Sequence, residues 1–209
     1  QYYHIHPLLC CNKSDLQEEQ QLTYLENLYH PTRYPLFFIS AQTGFQIETL
    51  KHYLLHKTSI LAGPSGVGKS TLINQLNPSL NLSTGTVTEK LGLGKHTTRH
   101  VSLHSFPYQN HLGWMADSPG FGAFELPADL HPAELGFYYP EFIPYLKECQ
   151  FQNCYHQNEM NCAVKAHTYL EGERYQNYLT ILQELIENYR KKQEKSTKIE
   201  TQIKKRITG

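Results

Sequence analysis

Between Pro7 and Ala116 the apolar residues fall into short runs separated by stretches with a helical period. The runs Pro7 to Cys11, Leu36 to Ser40, Thr58 to Ala62, His100 to Phe106 and Leu112 to Ala116 predict strands. The periodic stretches predict helices over Leu16 to Tyr29, with Leu22, Leu25, Leu28 and Tyr29 on one face, and over Gln46 to His56, with Ile47, Leu50 and Leu54. Such alternation belongs to the α/β class, a mostly parallel sheet flanked by helices. From Asn77 to Thr98 the chain is rich in Gly, Ser, Thr and Asn and has no clear period, the pattern of a long functional loop.

The pattern changes after Pro127. Pro132, Pro140 and Pro144 interrupt it, aromatics cluster at Phe137 to Tyr139, and cysteines and a histidine follow. From Arg174 a stripe of Tyr175, Tyr178, Leu179, Leu182, Leu185, Ile186 and Tyr189 recurs at spacings of three and four, which predicts a helix whose stripe is packing surface rather than a ligand site. Two domains are therefore expected, residues 1–127 and a small, mainly helical unit over residues 128–209. Sequence self-similarity is absent.

Composition adds limits. No apolar run approaches the ~20 residues needed to span a bilayer, and no charged-then-apolar leader opens the chain, so a soluble, cytoplasmic protein without a membrane partner is expected. The first residue is Gln1 rather than Met, which reads as a fragment or a processed form. Formal charge is zero overall, yet Arg190 to Gly209 carries eight Lys/Arg against two Glu. That tail suits a polyanionic partner, or else a solvated helix end. Of five cysteines, Cys10 and Cys11 sit in an apolar run and read as structural thiols. The other three, with a histidine among them, point to metal rather than to disulfides.

The strongest local signal is Gly63-Pro-Ser-Gly-Val-Gly-Lys-Ser70, a phosphate loop that follows an apolar strand and precedes a helical segment. Glycines let backbone N–H groups point at phosphate oxygens, and the helix start adds partial positive charge. Gly63, Ser65, Gly66, Val67, Gly68, Lys69, Ser70 and Thr71 form the expected cradle, with Lys69 on the β- and γ-phosphates and Ser70 on magnesium. Asn12-Lys13-Ser14-Asp15 matches the guanine-reading Asn-Lys-x-Asp pattern, in which the Asp15 carboxylate accepts from N1–H and the exocyclic amine. Taken alone the tetrapeptide is also an ordinary turn. Ser40-Ala41, after the next run, resembles the second guanine-contacting element.

Asp117-Ser-Pro-Gly120 ends the last run: Asp117 would hold magnesium through water and the Gly120 N–H would sense the γ-phosphate. The loop before it carries His96, Thr97 and Thr98, where a threonine would close over magnesium, Thr97 in preference. Phe121 stands where Ras-like enzymes place a water-orienting glutamine, and a hydrophobic side chain cannot take that role. His96 is the candidate replacement, a plain surface histidine being the competing reading. The guanine elements precede the phosphate loop, a permuted order that a parallel sheet tolerates because its packing is unchanged. Cys149, Cys154, His156 and Cys162, at intervals of five, two and six, offer three thiolates and an imidazole, a closed set that suits one structural zinc ion.

Taken together these motifs resemble the bacterial RsgA (YjeQ, EngC) family of circularly permuted GTPases. The resemblance rests on Asn-Lys-Ser-Asp at 12, Ser-Ala at 40, the phosphate loop continued by Thr-Leu-Ile-Asn, Gly-Lys-His-Thr-Thr at 94, Asp-Ser-Pro-Gly-Phe at 117 and the cysteine-histidine run from 149. It implies a GTP/GDP-, magnesium- and zinc-dependent maturation factor of the small ribosomal subunit and its rRNA, a monomer whose hydrolysis is stimulated by the subunit and triggers release. The family's histidine beside the switch threonines corresponds to His96. Asp-Ser-Pro departs from the commoner Asp-Thr-Pro of the family. An RNA-binding OB barrel ahead of the nucleotide domain, and that domain's first strand and helix, are expected upstream of Gln1. Two other readings are a non-catalytic RNA-binding module stabilised by nucleotide, and an ATP-using phosphate-loop enzyme, which conflicts with Asp15.

Overall fold

A computed structural model describes residues 5–82, 102–117, 126–127, 129–168, 170 and 172–208. They fall into two compact units, one of Leu8–Glu26 and Pro35–Phe124, the other of Gln1–Pro7, Asn27–Tyr34 and Glu125–Gly209.

The first unit holds strands β1 (Leu9–Cys11), β2 (Leu36–Phe38), β3 (Thr58–Ile60), β4 (Ser102–Tyr108) and β5 (His111–Asp117). Helix α1 (Glu19–Tyr29) spans the two units, and α2 (Ile47–Leu54) and α3 (Lys69–Leu76) complete the first. β1 pairs in parallel with β2, and β3 in parallel with β5. β4 and β5 are antiparallel along seven residues each. Their connection explains the departure from parallel pairing. Only Gln109 and Asn110 separate them, both at positive φ (46° and 64°), the geometry of a tight hairpin, whereas a parallel crossover needs a dozen residues or more. Among the described residues the strands form two sheets, β1-β2 and β3-β5-β4.

Helices α2 and α3 exist because their apolar residues recur every three or four positions. Ile47, Leu50 and Leu54 on α2, and Leu72, Ile73 and Leu76 on α3, are buried with Ile39, Phe106 and Met115 in one core. Phe106 fits there because its cross-strand partner is Gly113: a Cβ at 113 would lie 2.2 Å from the ring. The other face of β3-β5-β4 is unlike a covered parallel sheet, since Ile60, Leu103, Leu112 and Trp114 are exposed. Helix α1 begins at Glu19, three residues after the expected start, because Ser14–Leu16 forms a 3₁₀ turn instead. Its Leu22, Leu25, Leu28 and Tyr29 are half-buried, and no residue of α1 is buried.

The second unit is built on α5 (Glu173–Thr208), with α4 (Ala163–His167) and three short 3₁₀ segments or turns from Asn27–Tyr34 and the region before Cys149. Tyr175, Tyr178, Leu182 and Leu185 of the expected stripe are buried against Leu135, Tyr139, Phe142 and Val164. Phe142 meets Tyr178 edge-on at 4.9 Å and stacks on Tyr139 at 5.2 Å, contacts worth about 0.5–1.5 kcal/mol each beyond area burial. Residues 191–197 of α5 are exposed. Among the described residues no helix is long and apolar enough to cross a membrane.

Candidate functional site

Asn12 follows β1 and joins three segments of the first unit. Its Nδ2 donates to the Val67 carbonyl at 2.9 Å, and its Oδ1 accepts from the Ala41 amide at 2.9 Å. Neighbouring Lys13 stands at φ 64°, and its Nζ donates to the Gly66 carbonyl at 2.9 Å. Ser14 N–H donates to the Ile39 carbonyl at 3.0 Å, which ties the loop after β1 to the end of β2. Asp15 lies exposed on the Ser14–Leu16 turn. Ser40 is fully buried, and its Oγ accepts from the Thr43 amide at 3.1 Å. The expected guanine elements and the phosphate loop thus meet, although 55 positions separate Asn12 from Val67.

The phosphate loop runs from β3 into α3. Gly66 and Gly68 have φ of +78° and +101°, which side-chain-bearing residues rarely adopt, and Gly68 is the N-cap of α3. Lys69 Nζ donates to the Gly63 and Pro64 carbonyls at 2.7 and 2.8 Å. Ser70 and Thr71 are half-buried in the first turn of the helix, where free backbone N–H groups and the helix dipole favour an anion. A Cβ at position 68 would lie 2.3 Å from Asn12 Nδ2. Gly68→Ala should therefore cost on the order of 1–3 kcal/mol in backbone strain alone and break the Asn12 staple. For a chain of this size the calorimetric midpoint should fall by about 2–4 °C per kcal/mol, and an unchanged midpoint would mean that Asn12 yields freely.

Asp117 ends β5, one residue beyond the pair Ile60–Ala116, so its backbone is level with Leu61 at the approach to the phosphate loop. His96, Thr97, Thr98, Gly120 and Phe121 lie outside the described residues.

Cys149, Cys154, His156 and Cys162 come together in the second unit, their ligand atoms within 4.8 Å of one another and the last three buried. Metal–ligand bonds of about 2.3 Å to sulfur and about 2.05 Å to nitrogen give tetrahedron edges of about 3.8 Å between sulfurs and about 3.6 Å between sulfur and nitrogen. The separations are 3.9 Å for Cys149–Cys162 Sγ, and 3.6 and 3.4 Å from His156 Nδ1 to Cys149 and Cys162 Sγ. The set fits one zinc ion. Burial pushes the Cys154 thiol up to about 12 and holds the His156 imidazole below its ordinary value, so a bound cation would make a thiolate of Cys154 and meet a neutral imidazole at His156.

Residues around the cluster that spacing does not reveal hold its loop in shape. Glu159 accepts from the amides of Tyr155, Gln157 and Asn158 at 2.6, 2.9 and 3.1 Å. Burial alone would raise its carboxyl, but these amides outweigh it and hold the group below its usual range. Tyr175 and Tyr178 hydroxyls donate to the His156 and Tyr155 carbonyls at 2.7 and 2.8 Å. The helical stripe that builds the core therefore also fixes the ligand loop. Cys10 and Cys11 are half-buried, and burial raises both thiols, Cys10 to about 12.

Residues 1–127 match the family described as RsgA GTPase. The small ribosomal subunit biogenesis GTPase RsgA of Caldanaerobacter subterraneus subsp. tengcongensis is 40% identical over 191 residues, covering 90% of this chain and 63% of that protein. The protein of the same description from Microcystis aeruginosa is 42% identical over 201 residues, covering 95% of this chain and 53% of its own. Among solved structures, YjeQ from Thermotoga maritima superposes with a TM-score of 0.68 at 34% identity, over 88% of this chain and 61% of that one. YloQ, a circularly permuted GTPase, gives 0.63 at 28% identity, over 87% and 57%. The chain spans less than two thirds of the length of each of these relatives.

Proposed function

Because the chain belongs to the RsgA GTPase family, we propose that it binds and hydrolyses GTP as a maturation factor of the small ribosomal subunit. The observation that carries this reading is the Asn12 staple, which holds the Ser40-Ala41 element and the phosphate loop on one side chain. Asp15 reads the guanine edge, and the backbone N–H groups of Gly63 and of Ser65 to Thr71 cradle the phosphates. Lys69 leaves its loop carbonyls for the β- and γ-oxygens, worth more to an ammonium group than neutral acceptors are. Ser70 and Thr97 would hold magnesium, with Asp117 reaching it through water, and the Gly120 N–H would sense the γ-phosphate. Bound magnesium would neutralise phosphate charge.

Phe121 cannot orient the attacking water, so His96 or a group from the ribosomal subunit does so, and turnover of the free protein is slow. Residues 1–127 act as the nucleotide domain and residues 128–209 as a zinc-stabilised helical domain that docks on rRNA, aided by the basic end of α5. The protein works in the cytoplasm as a monomer.

Phosphate release measured with and without purified small subunits tests the proposal. Stimulation of tenfold or more is expected, of the order that a single completing group contributes at other GTPase sites or below it. Equal rates would overturn it.

A further inference from the structure

Of the four candidate zinc ligands, His156 has the backbone that is hardest to hold. It stands at φ 54°, in the left-handed region that side-chain-bearing residues rarely adopt, whereas none of the three cysteines has a positive φ. The residue is 3% exposed. Its Nδ1 is the nitrogen turned to the sulfurs of Cys149 and Cys162, at 3.6 and 3.4 Å. The other edge of the ring lies against Gly136, where a Cβ would come within 2.9 Å of Nε2.

The amides on both sides of His156 end on one carboxylate. Glu159 Oε1 accepts from the Tyr155 N–H at 2.6 Å, and Oε2 accepts from those of Gln157 and Asn158 at 2.9 and 3.1 Å. The carbonyls are taken by α5, through the Tyr175 hydroxyl on His156 and the Tyr178 hydroxyl on Tyr155. Those tyrosines sit in a helix with its own core, but Glu159 belongs to the ligand loop, three residues after His156 and three before Cys162. From Cys154 to Asn161 the loop is in no helix or strand, so no backbone ladder shares the work. A carboxylate so close could itself take zinc. Glu159 is not among the four groups whose ligand atoms converge, and both of its oxygens are engaged by amides.

We propose that Glu159 is a positioning residue for the zinc centre: by holding the amides that flank His156 it keeps the left-handed turn that delivers Nδ1 as the fourth donor. Without it three thiolates remain to bind the metal and water takes the fourth place, which turns a closed structural set into an open one. The inference rests on the zinc reading of the cluster and involves neither the nucleotide nor the first unit.

The test loads the 209-residue chain with cobalt(II), whose d–d bands report geometry and the fourth donor and whose sulfur charge-transfer band counts bound thiolates. Zinc affinity is read separately, by competition with a chromophoric chelator. Glu159→Ala should weaken zinc by about tenfold to a hundredfold, the range for removing a group that orients a metal ligand. At saturating cobalt it should move the d–d bands and leave the charge-transfer intensity unchanged. Glu159→Gln, of the same size, keeps one acceptor and turns a donor towards the amides, so both readouts should move in the same direction. Should the alanine variant fail to fold, the glutamine variant decides. Parent-like d–d bands at saturating metal overturn the proposal even where affinity falls, because a carboxylate that acts by charge or by supporting the fold leaves the donor set intact. A fall in charge-transfer intensity also overturns it, since the effect would then fall on the cysteines. A parent chain that binds no zinc overturns the zinc reading itself, and this proposal with it.

Discussion

Asp15→Asn should transfer the base preference from guanine to xanthine. A carboxylate accepts from two adjacent donors, the N1–H and the amine of guanine. An asparagine amide offers one acceptor and one donor, which matches the N1–H and C2 carbonyl of xanthine and sets donor against donor on guanine. Sites that hydrogen-bond a substrate group in a buried setting reject its analogue by about four to five powers of ten. Asp15 is exposed, so the change here should be smaller, on the order of a hundredfold loss for GDP with a matching gain for xanthosine diphosphate. Titration of both nucleotides with parent and variant measures it. A variant that loses GDP without gaining the xanthine nucleotide would mean that Asp15 supports the loop rather than reads the base.

Removal of zinc should unfold the second unit while the first keeps its core. Three of the four ligands are buried and two of them, Cys154 and Cys162, are members of the same core cluster as Phe142, Tyr178 and Leu182. Structural zinc contributes about 10–16 kcal/mol of apparent folding free energy in small zinc-finger peptides. The aromatic core here carries part of the load, so the loss should be a fraction of that, still enough to exceed the margin of a small unit. Cys154→Ser or a strong chelator should abolish the single bound zinc per chain and the near-ultraviolet signal of the tyrosine cluster. Retention of that signal without metal would show the cluster to be dispensable for folding.

The pH dependence follows in sign. Without a cation burial keeps the Cys154 and Cys162 thiols protonated, Cys154 up to about 12, and holds His156 towards its neutral form. Zinc binding therefore releases protons from sulfur, and affinity falls as pH falls. Glu159 works in the same direction: its depressed carboxyl contributes stability above its unfolded value, lost as pH drops through the folded one. Zinc release to a chromophoric chelator should accelerate on mild acidification, and a rate independent of pH would contradict the thiolate assignment.

How much of this was legible beforehand varies with the range of the interactions involved. The α5 stripe is readable because helix period places Tyr175, Tyr178, Leu182 and Leu185 on one side whatever they meet. Burial of α1 is not, since Leu22, Leu25 and Leu28 show the same period yet end half-buried for want of a deep partner. The zinc ligands could be named from residue type, whereas Glu159 and the two tyrosine hydroxyls that brace their loop could not, because their partners are backbone groups that any sequence possesses.

Sequence alone determined the chemical vocabulary of this protein: a glycine-rich turn able to take positive φ, an Asn-Lys-x-Asp tetrapeptide, a sulfur-rich ligand set, and the order in which they occur. Those are properties of neighbouring residues, governed by sterics and ligand type within a few positions. Tertiary structure decided which distant groups meet. It brought Asn12 onto Val67 and Ala41, turned β4 antiparallel to β5, and packed Asn27–Tyr34 with Arg174 rather than with the strands on either side. Such pairings depend on how the whole core closes, and on loop entropy and burial summed over the chain, so no local pattern encodes them.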